Sequence, residues 1–148
     1  MQRKPIALIP YIFGGGWIAL LLLLSNCEHA ELPVNPDNRQ PQATLSEIQR
    51  TIFDVTCAIS GCHLGASAPF GLDLSEGKAR GNLVNVPSGE RPELLRVKPG
   101  DPDSSYLVKK IEGAPDILGE RMPRGRPPLS AEQIDLIRRW IAEGAKDN

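Results

Sequence analysis

Two stretches of the chain place apolar residues at the three- and four-residue spacing of an amphipathic helix. The first begins at Thr44 and runs to about Cys57, and the second begins at Ser130 and ends at Gly144. Thr44 and Ser130 each precede a Glu or Gln by three residues, which is the spacing of a capping box. The apolar stripes consist of Leu45, Ile48, Ile52 and Phe53 in the first stretch and of Ile134, Ile137, Trp140 and Ile141 in the second.

The chain between these helices is rich in Pro and Gly, which predicts short elements joined by long loops. The elements predicted there are a short helix over 75–83 that Ser75 caps, extended segments over 84–87 and 95–97, and a helix that starts at Asp101-Pro102 and stops at Gly113. Irregular loops are predicted over 64–75 and 114–129. The pattern therefore predicts a mainly α fold with a helix at each end.

The first 26 residues have the pattern of an export signal. Arg3 and Lys4 precede an apolar run that ends at Leu24. The run from Pro5 to Leu24 is also about as long as a bilayer span, so a retained membrane anchor is the alternative. The run closes with LSNC, which resembles a bacterial lipobox in which Cys27 receives lipid, while simple cleavage is a third outcome. In all three cases the residues that follow are exported.

The organisation that follows is an export signal over 1–26, a flexible tether over 27–43 and one folded domain over 44–148. Aromatic residues make up only 5% of the chain, which predicts a thin core that needs a disulfide, metal or cofactor. The formal net charge of −1 gives no electrostatic attraction to nucleic acid. If Cys27 belongs to the anchor, Cys57 and Cys62 remain as a pair.

The segment CAISGCH, residues 57–63, carries the candidate chemistry. Two thiols followed directly by a histidine can attach a haem through thioethers and ligate its iron. A disulfide between Cys57 and Cys62 is the alternative, although so short a loop would stabilise little. A zinc site is a further alternative, but it needs a distant fourth ligand. A haem sensor or peroxidase-like protein with a displaceable sixth ligand is also compatible with the segment.

The sequence resembles class I c-type cytochromes over about residues 44–148, in a form with four residues between the cysteines. Phe53 precedes Cys57 by four residues, as in the family pattern F-x-x-x-C, and Met122 lies in a Pro-rich loop before the closing segment PPLSAEQIDLIRRWIAEGA. The stretches GCHLGASAPFGLDLS, LVNVP and PGDPDSSYLVKKIEG are similar to small bacterial haem domains. Met122 is also the only methionine after residue 26.

The resemblance implies a small helical domain wrapped around one covalent haem c, with Phe53 and Trp140 in the core where the terminal helices cross. It implies thioethers at Cys57 and Cys62, His63 as the proximal iron ligand and Met122 as the distal one. Pro69 is a candidate to offer its carbonyl to His63. Candidates to pair with haem propionates or a docking partner are Arg96, Lys98, Arg121, Arg124 and Arg126.

The function that the resemblance implies is electron transfer rather than catalysis. The expected partners are redox proteins that donate and accept the electron, and the expected location is the periplasmic side of a bacterial membrane with a lipid anchor at Cys27. The alternative from the residues alone is an exported binding module stapled by a Cys57–Cys62 disulfide.

Overall fold

The computed structural model describes residues 41–148, and this part of the chain is mainly helical, as predicted. Its helices are α1 (Leu45–Ile48), which continues as a π-helical segment (Gln49–Cys57), α2 (Ala79–Leu83), α3 (Tyr106–Glu112) and α4 (Ala131–Ala142), with a 3₁₀ turn at Pro69–Gly71. The predicted export signal, Cys27 and most of the predicted tether lie outside the described residues. None of the helices in the described range is both long and apolar enough to cross a membrane.

The first helix starts where the sequence predicts but changes its geometry after one turn. The hydroxyl of Thr44 accepts a hydrogen bond from the backbone N–H of Glu47, at 3.2 Å. The Glu47 side chain does not complete the box, because it binds Arg50 instead. From Gln49 onward the helix widens to the π form, which the apolar spacing does not predict. Such widened turns are uncommon and are often found at functional sites.

The last helix matches its prediction closely. The Ser130 hydroxyl accepts from the Gln133 backbone N–H, and the Gln133 side chain accepts from the Ser130 backbone N–H, so the capping box is complete. At the other end of α4, the indole N–H of Trp140 donates to the carbonyl of Lys146 at 2.8 Å. Both ends of α4 are therefore fixed by local hydrogen bonds.

The two helices between them begin later than predicted. α3 begins at Tyr106 rather than at Asp101, because Asp101 closes a separate turn before it. The Asp101 side chain accepts a hydrogen bond from the Ser104 backbone N–H, and the Asp101 backbone carbonyl accepts one from the Ser105 hydroxyl. α2 likewise begins at Ala79, after a turn that includes Ser75. The predicted extended segments pair only through isolated bridges, Val84 with Val97 and Pro87 with Leu95.

A single apolar cluster joins these elements. The first helix contributes Ile48, Ile52 and Phe53, and α4 contributes Trp140 and Ile141, all of them at most 1% exposed. Phe53 and Trp140 are therefore core residues, as expected. The cluster also includes residues of α2, α3 and the loops: Leu83, Val108, Ile111, Ala43, Leu74, Val97 and Leu129.

Candidate cofactor site

The segment CAISGCH forms a compact turn at the end of the π-helical segment. The backbone N–H of His63 donates to the carbonyl of Cys57 at 3.1 Å, and that of Cys62 donates to Ile59 at 2.9 Å. Gly61 has a φ of +80°, which a residue without a Cβ adopts easily. The four residues between the cysteines therefore loop out, and the chain returns His63 to the end of the helix.

The ring of His63 is oriented by the backbone of the next segment. Its Nδ1 lies 3.2 Å from the carbonyl oxygen of Leu72. Since a carbonyl only accepts, Nδ1 is the protonated nitrogen, and Nε2 keeps a free lone pair. The acceptor is Leu72 rather than the expected Pro69. Burial lowers the pKa of His63, and the bond to Leu72 offsets part of that effect, so the imidazole is neutral near pH 7.

Three hydrogen bonds to Asp73 hold the loop after His63 in place. Its Oδ1 accepts from the backbone N–H of Gly65 and of Ser75, both at 3.0 Å, and from the Ser75 hydroxyl at 2.7 Å. The bond from the Ser75 hydroxyl holds the pKa of Asp73 below its usual range. From the other side, the buried side chain of Gln49 donates to the carbonyl of Leu74 at 2.9 Å. The wall that carries His63 is thus attached to the first helix.

His63 faces an open cavity with about 760 Å³ of empty space, mouth included. Cys57, His63 and Met122 all line the cavity. The apolar part of its wall consists of Phe53, Leu72, Leu74, Leu83, Leu107, Ile111, Leu129 and Ile137. The structure therefore brings together three of the four residues that the sequence assigns to a haem.

The fourth residue, Cys62, is exposed and does not form part of the cavity wall. Both Cys57 and Cys62 are free thiols. Burial, together with the nearby Cys62, raises the pKa of Cys57 to about 12, so this thiol stays protonated at neutral pH. Metal binding and disulfide exchange both need a thiolate, and neither is favoured at Cys57. Within residues 41–148, no three His, Cys, Asp or Glu side chains converge on a metal position.

One charged group in the cavity wall is a buried cation. Arg96 is only 9% exposed, and its guanidinium donates to two neutral carbonyls, those of Phe70 at 2.6 Å and Asn82 at 2.8 Å. Burial lowers its pKa. No carboxylate in the described chain pairs with it, although buried charges ordinarily have counter-ions. A ligand in this cavity that carries a carboxylate would supply one.

A second polar group in the wall was not predicted from the sequence. Lys110 binds one carboxylate oxygen of Glu90 at 2.9 Å, and the Tyr106 hydroxyl donates to the same oxygen at 2.8 Å. The four-residue spacing of Tyr106 and Lys110 on α3 places both on one helix face. That spacing is the signal that could have identified them, whereas Glu90 lies in a loop without any pattern.

The remaining predicted cations lie elsewhere. Lys98 pairs with Asp101 at 2.8 Å, and Arg121 donates to a backbone carbonyl. Arg124 and Arg126 are exposed. None of these four lines the cavity.

Comparisons with protein-family models, with curated proteins and with solved structures found no match to this chain. The residues themselves still fit a covalently attached haem. A porphyrin needs flat apolar walls, two thiols near its edge, a neutral imidazole and a second soft or nitrogenous ligand. The cavity supplies the walls, Cys57, His63 and Met122, and Cys62 lies in the same short turn. Arg96 adds a cation suited to a carboxylate of the porphyrin.

Proposed function

We propose that this chain is an electron-transfer protein with one covalently attached haem c. The observation that carries the proposal is that His63 and Met122, distant in sequence, line the same apolar cavity as Cys57. In this assignment Cys57 and Cys62 form the thioethers, His63 is the proximal ligand and Met122 the distal ligand. Bound haem supplies a one-electron ferric–ferrous couple.

The residues around the cavity have separate tasks in this proposal. The Leu72 carbonyl orients His63 and increases its basicity as a ligand. The lowered pKa of His63 keeps the imidazole neutral, as ligation requires. The apolar wall excludes water and favours the iron state of lower charge. If both His63 and Met122 ligate the iron, no position on it would be open to a substrate, which fits a carrier better than an enzyme.

The setting of the carrier is also a proposal. The leader over 1–26 and the LSNC segment favour export with lipid on Cys27, at the periplasmic side of a bacterial membrane. The partners are then redox proteins that donate and accept one electron. A net charge of −1 gives no electrostatic attraction to nucleic acid.

The role of Met122 can be tested by potentiometry and visible spectroscopy on protein matured in a host that attaches c-type haem. We expect Met122→Ala to lower the reduction potential and to bind carbon monoxide in the ferrous state, because the sixth position opens. Leu118→Ala is the matched control, since Leu118 is an exposed apolar residue of the same loop. A Met122→Ala protein with the potential and spectrum of the unchanged chain would contradict the assignment.

A further inference from the structure

The loop that carries Met122 is joined to the last turn of α3 by two consecutive residues. The backbone N–H of Met122 donates to the carbonyl of Lys110 at 2.9 Å. Nε of Arg121 donates to the carbonyl of Ile111 at 2.8 Å. Carbonyls in the last turn of a helix have no partner within the helix. The loop therefore supplies the donors that the end of α3 lacks, and the helix end in turn holds the loop.

Gly113 makes room for this contact. It follows α3 with a φ of +74°. A Cβ at this position would lie 2.8 Å from Cδ of Arg121, closer than real side-chain contacts. The aliphatic stem of Arg121 therefore crosses directly over the end of the helix. Its positive charge also lies at the end of α3 where a cation is favourable.

The same helix holds an earlier point of the loop. The Leu118 backbone N–H donates to the Tyr106 hydroxyl at 3.0 Å, and the Lys110 ammonium donates to the Leu118 carbonyl at 2.7 Å. After Met122 the situation differs, since no hydrogen bond joins residues 123–128 to another part of the described chain. The position of Met122 is thus fixed from its N-terminal side, with Arg121 as the side chain next to it.

Building on the proposed function, we propose that Arg121 is a positioning residue that keeps Met122 in the cavity and resists its displacement by other ligands. Without the Arg121 side chain, the only hydrogen bond between α3 and residues 121–122 would be the one from the Met122 backbone N–H to the Lys110 carbonyl. Entering ligands compete with Met122, so a less firmly held loop gives them tighter binding.

The test compares Arg121→Ala, Arg121→Lys and Arg124→Ala in the haem-bound ferric protein. Arg124 is the matched control, because it is an exposed arginine of the same loop. We expect imidazole to bind Arg121→Ala on the order of ten-fold more tightly, the effect of losing one hydrogen bond from a charged group. Arg121→Lys should recover part of the change, since an ammonium can also donate to the Ile111 carbonyl. Arg124→Ala should match the unchanged chain.

A second readout does not depend on ligand binding to the haem. The exchange of the Met122 amide reports its bond to Lys110, and we expect Arg121→Ala to accelerate it about ten-fold while amides of α4 keep their rates. Equal acceleration in α4 would indicate general destabilisation and overturn the inference. So would a haem-bound protein in which all three variants match the unchanged chain. Failure of the unchanged chain to take up haem would instead overturn the proposed function, and exchange alone would then decide whether Arg121 holds the loop.

Discussion

Two regions of the molecule differ in how completely their side chains are buried. One is the contact between the two terminal helices, and the other is the wall of the cavity. In the helix contact, which consists of Ile48, Ile52, Trp140 and Ile141, every residue is fully buried. In the cavity wall, Leu72, Leu107 and Met122 are only partly buried, although they are apolar and pack against the same core. The first region is complete with protein atoms alone. The second has apolar walls around an open cavity, whereas protein interiors are normally close-packed.

The polar groups show the same difference. The only polar side-chain atom of the helix contact is the Trp140 indole nitrogen, and its N–H donates to the Lys146 carbonyl. In the cavity wall Arg96 has only neutral carbonyl partners. A bound molecule with apolar faces and a carboxylate would correct both deficits of the second region. Each of the following predictions separates the two regions.

The largest effect is expected from leaving haem out. Because the apolar wall then faces water, we expect protein matured without haem to be poorly folded, with a strongly reduced helix signal in circular dichroism. The haem-bound protein is the control. A full native helix signal without haem would show that the helix contact is sufficient for folding and that haem is not required for it.

The next effect tests the helix contact. Trp140→Ala should lower the free energy of unfolding by about 3–5 kcal/mol, because it leaves a cavity among fully buried side chains. Urea denaturation of the haem-bound protein measures this change. Leu118→Ala, at an exposed apolar residue, should stay within about 0.5 kcal/mol. Similar losses in the two variants would mean that the helix contact is not the tighter region.

A smaller effect is expected at the polar side of the cavity. Glu90→Ala leaves the buried Lys110 ammonium without its carboxylate and should cost about 1–3 kcal/mol by the same denaturation. The control is Glu93→Ala, which breaks an exposed pair with Arg91 and should cost clearly less than Glu90→Ala. Equal costs would show that the Glu90–Lys110 pair behaves as a surface pair.

The smallest effect concerns pH. The bond from the Lys98 side chain, with further bonds from Ser104, lowers the pKa of Asp101 from 3.8 to about 2. Its contribution to stability is therefore complete above about pH 4 and is lost as the pH falls through about 2. Asp101→Asn should therefore lower stability slightly at neutral pH and match the unchanged chain near pH 2, which flattens the acid limb of the stability curve. An unchanged acid limb would contradict the shift.

The features that the sequence predicted correctly depend on neighbouring residues. The Ser130–Gln133 capping box, for example, involves contacts over only three residues. The features it missed depend on distant partners, such as Glu90 with Lys110, twenty residues apart, or Gln49 with Leu74, twenty-five apart. The start of α3 was also missed, because Asp101 closes a separate turn with Ser104 and Ser105 instead of starting the helix.

The candidate site divides in the same way. The sequence motif identified Cys57, Cys62 and His63 as neighbours, and their turn depends on local hydrogen bonds. Met122 was assigned by resemblance, and its presence in the cavity depends on the contact of its loop with α3. The acceptor for His63 was placed at Pro69 and is Leu72, a shift of three residues that depends on how the loop folds around Asp73.

Denaturing mass spectrometry, with a visible spectrum, on protein exported in a host that matures c-type haem tests the central claim most directly. We predict a covalent mass gain of one haem and a sharp reduced α-band, both lost when Cys57 and Cys62 are replaced by alanine. No mass gain despite working maturation would contradict the claim. A protein mass lower by two hydrogen atoms, without haem, would instead favour an exported binding module with a Cys57–Cys62 disulfide.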